Sequence, residues 1–175
     1  MASLPAPRPS TVNDAPVGEA LDRLKAALAE VGVEIDGLLE GLLAVPGDTR
    51  DELYQAMRHA AIGGGKRLRP LLVLAACDLY HVDRGRALRV GLAVECVHVY
   101  SLIHDDLPCM DDDDLRRGRP TVHKAWDEAT AILAGDSLHA LAFEVLAGEA
   151  THEDPFVGAE LIAELARAAG PSGMA

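Results

Sequence analysis

Residues 84–106 read RGRALRVGLAVECVHVYSLIHDD, and the fold turns on them. Apolar residues dominate from Ala87 to Ile103 and are not confined to one stripe. A helix that is apolar on most sides belongs in a core rather than on a surface, so the pattern predicts a buried helix over Arg84–Asp105. Pro108 ends or kinks it, because proline removes a helical N–H and clashes with the preceding turn. The polar stretch Asp111–Pro120 then reads as a loop.

The same period continues on both sides. Upstream, Leu21, Leu24, Leu28, Val31, Ile35, Leu38, Leu39 and Leu42 recur mostly at three- and four-residue steps, a helix closed by Pro46-Gly47-Asp48. Asp51–Ile62 reads as a second helix, stopped by Gly63-Gly64-Gly65. Pro70–Tyr80 reads as a third, with proline in its first turn, where no N–H partner is lost. Downstream, Asp127–Leu146 and Pro155–Ala169 read as a fifth and a sixth. Nothing alternates with a strand period over a useful length, and no internal repeat is present. The expected class is all-α, a helical bundle occupying residues 17–175. Residues 1–16 carry Pro5, Pro7, Pro9 and Pro16 and are expected to lack fixed structure.

Composition excludes several functions. Lys and Arg number 16 against 28 Asp and Glu, a formal net charge of −12, and aromatic residues are 3%. A nucleic-acid binder needs clustered cations and base-stacking rings, so nucleic acid is not expected as a partner. The longest apolar run, Val90–Ile103, is interrupted by Glu95 and His98 and is shorter than the roughly 20 residues of a membrane span. Cys77, Cys96 and Cys109 form no Cys-x-x-Cys pair. An odd count, with no apolar signal segment at the start, points to a reducing, cytoplasmic setting.

Chemistry concentrates at the end of the apolar helix. Asp105 and Asp106 are followed by Asp111, Asp112, Asp113 and Asp114, and at once by Arg116-Arg117-Gly118. Carboxylates at this density repel one another unless cations neutralise them. Mg²⁺ prefers such oxygens and leaves places for substrate phosphates, while guanidinium forks grip free phosphate oxygens. Asp105 and Asp111 are six apart, off a single helical face, so Pro108 must turn the chain for the two to meet. A solvated acidic loop is the plain alternative, weakened by the join to a core helix and by the following arginines. A calcium loop is excluded, because Arg116 occupies the place of its glycine.

A second anion-suited segment, Gly63-Gly64-Gly65-Lys66-Arg67-Leu68-Arg69-Pro70, puts three cations after a flexible turn. It is not a P-loop: the earlier glycine position is Ala60 and Arg67 replaces Ser or Thr. His98 lies two helical turns before Asp105 and reads either as a ligand-facing group or as a satisfied core histidine. His104 reads as structural or as a support behind the ligating groups.

Together, Gly64–Pro70, Ser101–Gly118 and the following Arg119-Pro120-Thr121-Val122-His123 resemble the trans-prenyl diphosphate synthases, above all the N-terminal half of their bacterial farnesyl-producing members. The resemblance runs from about Leu53 to Met174. It implies an all-α isoprenoid-synthase bundle around a deep cavity, usually a homodimer. By resemblance, Asp105 and Asp111 bind Mg²⁺ and, with Arg116, hold the allylic diphosphate, dimethylallyl or geranyl; Asp106 supports them. Lys66, Arg69, His98 and Arg117 bind isopentenyl diphosphate. The implied reaction is ionisation of the allylic diphosphate and condensation with isopentenyl diphosphate, in a site that excludes water.

Tyr100, five residues before Asp105, either packs in the core or caps a growing tail; by resemblance, an aromatic there implies a farnesyl product, with a geranylgeranyl product as the alternative. The family's second aspartate cluster has no counterpart before Ala175. The 175-residue chain is therefore expected to be a poor or inactive catalyst with exposed apolar helix faces, or a non-catalytic paralogue that serves as a binding or partner subunit.

Overall fold

The computed structural model describes residues 17–174; the expectation for residues 1–16 falls outside them. Helix α4 (Arg84–Asp105) is the axis of the fold, burying residues on all sides from Ala87 to Ile103. The Asp83 carboxylate caps its start by accepting the Arg86 N–H at 3.0 Å. Helix α6 (Glu128–Ala147) packs along α4, and α3 (Leu68–Leu79) flanks the other side. Gly91 permits the α3 approach, since a Cβ there would stand 3.2 Å from the Pro70 Cα.

Helix α1 (Val17–Leu42) lies across α3 and α4 and buries one stripe, Val31, Ile35 and Leu39. Helix α2 (Asp51–Ala61) bridges α1, α4 and α6. Helix α7 (Pro155–Ala169) rests on α6, started by the Asp154 carboxylate, which accepts the Phe156 N–H at 2.9 Å. Fully buried Ile35, Leu39, Leu92 and Leu138 join these helices into one core. Truncating any of them to alanine should cost about 2–5 kcal/mol.

Three local features depart from the expected pattern. Helix α3 begins at Leu68, before Pro70, with Arg67 as its left-handed N-cap at φ 49°. The segment read as a loop holds a small antiparallel hairpin, β1 (Leu115–Arg116) with β2 (Arg119–Pro120). One further turn of helix, α5 (Val122–Ala125), leads into α6. Two residues per strand and one turn of helix are too short to show a period.

Helices α4 and α6 are each long and apolar enough, by length and composition, to cross a bilayer; here they pack against one another, with about half of each apolar window buried. Leu72, Leu133 and Phe156 remain exposed on α3, α6 and α7. The three cysteines are free thiols.

Candidate functional site

The aspartate segment closes into a tight turn. Asp105 ends α4, and after Pro108 the chain doubles back until the Asp111 N–H donates to the Asp105 carbonyl at 2.8 Å. The Asp112 N–H donates to the Leu107 carbonyl at 3.1 Å and locks the turn. This brings the two aspartates together across the six-residue gap that a straight helix would have left between faces.

Asp106 has a different environment. It is buried, and its carboxylate takes Arg116 bidentately, with Nε at 2.9 Å and Nη2 at 2.6 Å from Oδ1. That hydrogen bond holds the Arg116 guanidinium pKa above its ordinary value. Asp106 is thus saturated by an arginine. Among the described residues, the Asp105 and Asp111 carboxylates make no hydrogen bond and no ion pair, although Asp105 lies within the field of Arg116. Carboxylates left unpaired on one tight turn fit Mg²⁺.

The basic segment splits by burial. Lys66 and Arg69 are exposed. Arg67 turns inward and is 3% exposed, donating to Glu95 at 2.8 Å, to Asp36 at 2.5 Å and to the Ala61 carbonyl at 2.6 Å. One guanidinium therefore braces α1, α2 and α4, and only two of the segment's three cations face outward. Gly63 and Gly65 have φ of 73° and 108°, conformations that favour glycine.

The Arg117 guanidinium lies against this glycine turn: a Cβ on Gly64 would meet its Nη1 at 3.2 Å. His98, half-buried on α4, completes the cluster. Burial lowers its pKa first; the positive field of Arg69, and then of Arg117 and Arg116, lowers it further, against Glu95. Both effects disfavour the imidazolium. Arg69, His98 and Arg117 therefore share one electropositive region beside the aspartate turn.

Tyr100 on α4 tilts over His139 on α6 at 4.6 Å between ring centres, and His139 meets Phe143 at 5.2 Å. The α6 half of this aromatic stack carried no sequence signal, because α4 and α6 meet only in three dimensions. His104 bonds the Ile132 carbonyl at 3.1 Å and packs where Gly135 lacks a side chain, a structural role.

A further polar group was also not evident from spacing. Asp112, Asp114 and His123 each place one ligand-type atom within 4.8 Å of the others. His123 is buried: Nδ1 lies 3.2 Å from Thr121 Oγ1, and Nε2 has no partner. Asp114 is paired with Lys124 at 2.8 Å, and this hydrogen bond lowers its pKa.

A family model described as polyprenyl synthetase matches residues 50–168. The farnesyl diphosphate synthase of Bacillus subtilis (strain 168) is 51% identical over 131 residues, 73% of this chain and 43% of that protein. The chloroplastic geranylgeranyl pyrophosphate synthase of Capsicum annuum is 51% identical over 124 residues, 70% of this chain and 33% of that one. The crystal structure of an FPP/GFPP synthase from Zymomonas mobilis matches with a TM-score of 0.85 at 62% identity, covering 87% of this chain and 55% of that one. The chain thus spans about half, or less, of the length of the proteins it matches. Matched residues and all-α architecture agree: the chain belongs to the polyprenyl synthetase family.

Proposed function

We propose that this chain carries the diphosphate-binding part of a prenyltransferase that condenses dimethylallyl or geranyl diphosphate with isopentenyl diphosphate. One observation supports the reading: the turn that returns Asp111 to Asp105 lies in the field of Arg116, which with Arg69 and Arg117 makes an electropositive region around His98. An anionic substrate needs a cation bridge on the first side and direct donors on the second. Asp105 and Asp111 would hold Mg²⁺, which would neutralise charge developing on the leaving diphosphate. Arg116, kept in place by Asp106, would donate to the allylic diphosphate. Lys66, Arg69, His98 and Arg117 would receive isopentenyl diphosphate. Exposed Lys66 can swing onto a bound anion, whereas Arg117 is already seated against the glycine turn.

Tyr100, backed by His139 and Phe143, would form an aromatic floor that stops the tail at farnesyl length. The identity to a geranylgeranyl pyrophosphate synthase keeps the longer product as a second reading.

The test is a calorimetric titration of the folded chain with inorganic pyrophosphate, with and without Mg²⁺, followed by a prenyl-transfer assay with geranyl diphosphate and labelled isopentenyl diphosphate. Mg²⁺-dependent binding that is lost in Asp105→Asn supports the site. Binding indifferent to Mg²⁺ and to Asp105 overturns it. A fifteen-carbon product supports the farnesyl reading and a twenty-carbon product the second one.

A further inference from the structure

The β1–β2 hairpin carries Arg116 and Arg117, yet two residues per strand cannot hold a conformation alone. On its first strand Arg116 is tied to Asp106 at the α4 terminus. Its second strand, with Arg119 directly opposite Arg116, is held from α2 by one side chain. The His59 Nε2 lies 2.8 Å from the Pro120 carbonyl, and the Arg119 Nη2 lies 2.8 Å from the His59 Nδ1. A carbonyl only accepts and a guanidinium only donates. The imidazole must therefore donate from Nε2 and accept at Nδ1, the neutral Nε2–H tautomer. The Trp126 ring meets His59 edge-on at 5.2 Å and 72°, which fixes the ring plane. Among the described residues, every hydrogen bond between α2 and the hairpin involves His59. Behind it, a cleft of about 110 Å³ lies between the hairpin, α2 and α4, lined by His59, Gly64, Ile103 and Arg117.

We propose that His59 is a positioning residue for the diphosphate-binding arginines: its neutral ring latches the hairpin to α2, keeping Arg117 against Gly64–Gly65 and Arg116 on Asp106. This rests on the diphosphate reading above. The choice of histidine has an electrostatic reason. Arg116, Arg117 and Arg119 repel one another within one hairpin. A carboxylate partner for Arg119 would secure it but would cancel part of the positive field that an anion needs. A neutral imidazole holds Arg119 through a lone pair and leaves that field intact.

Two variants separate the latch from simple packing. His59→Phe keeps a ring against Trp126 and removes both hydrogen bonds. His59→Gln supplies an amide N–H and carbonyl in their place. Long-range ¹H–¹⁵N correlation of the wild-type chain should show His59 as the neutral Nε2–H tautomer; an Nδ1–H tautomer overturns the proposal, even if a variant fails to fold. With Mg²⁺, pyrophosphate affinity should fall about tenfold in His59→Phe and return to within about threefold of wild type in His59→Gln. Wild-type affinity in a folded His59→Phe overturns the latch.

If the wild-type chain binds no pyrophosphate, the diphosphate reading fails. The latch is then decided by the amide shifts of Gly64, Gly65, Arg116 and Arg117. Shifts moved by Phe and returned by Gln support it; shifts unmoved by Phe overturn it.

Discussion

A Cβ on Gly65 would stand 2.7 Å from Nη1 of Arg117, so the glycine turn and the arginine hairpin meet so closely that a side chain there would displace the guanidinium. Gly65 also has φ of 108°, costly for any residue with a side chain. Gly65→Ala should push the guanidinium away and strain the turn by about 1–3 kcal/mol. Pyrophosphate affinity should fall about tenfold while helicity is kept. Calorimetry with a thermal melt checks both, and unchanged affinity would remove Arg117 from the site.

The Arg67–Glu95 pair is nearly out of solvent on both sides, at 3% and 4% side-chain exposure. Breaking a buried pair from one side strands the other charge. Arg67→Met, which leaves Glu95 without its cation, should therefore cost about 3–5 kcal/mol, and Glu95→Leu less, because Asp36 still pairs with Arg67 at 2.5 Å. The double variant Arg67→Met/Glu95→Leu should cost less than the sum of the two single changes, although it also removes the bond to Asp36. Urea unfolding of the three variants gives the coupling directly. Additive losses would mean that the two side chains act independently.

Asp106 is predicted to act through Arg116. Asp106→Asn keeps the shape and loses the charge-assisted bidentate grip. A hydrogen bond to a charged group contributes about 1.5–3 kcal/mol, so a stability loss near 2 kcal/mol is expected. Mg²⁺-dependent pyrophosphate binding should weaken as Arg116 loosens. Asp105→Asn should instead weaken binding with little loss of stability, because its carboxylate has no partner among the described residues. Equal stability losses in the two variants would contradict this division of roles.

His98 gives the chain a pH dependence with a definite sign. Its folded pKa lies below its unfolded value because burial, then Arg69, Arg117 and Arg116, disfavour the imidazolium. Acid therefore protonates the unfolded chain first. The contribution to stability is fully present above the unfolded pKa of about 6.5 and is lost as pH falls through the folded value. His98→Gln should flatten thermal stability between neutral and mildly acidic pH relative to wild type. A diphosphate among these arginines offsets their field, so binding should draw a proton onto wild-type His98. Calorimetry in two buffers of different ionisation enthalpy measures that uptake; equal uptake by wild type and His98→Gln would rule it out.

Much of the architecture was legible because its causes are local. The α1 stripe follows three- and four-residue spacing, and Pro46, the Gly63–Gly65 run, Asp127 and Pro155 punctuate helices through their own backbone or capping chemistry. The return of Asp111 to Asp105 was readable for the same reason, since Pro108 leaves the chain no helical route.

Residues of the same type with different neighbours were not separable in this way. Arg67 and Arg69 read alike in sequence, and only Glu95, 28 residues away, and Asp36 make the first a brace and leave the second exposed. His59 looked unremarked on a surface helix until Pro120, 61 positions on, came within hydrogen-bond reach. The His139–Phe143 floor under Tyr100 exists only because α6 packs on α4. Sequence by itself determined the six long helices, most of their ends and where opposite charges concentrate, because periodicity, backbone restriction and charge density act over a few residues. Tertiary structure decided which cation is buried, which is latched and which is free, because those outcomes depend on desolvation and on partners that folding alone brings together.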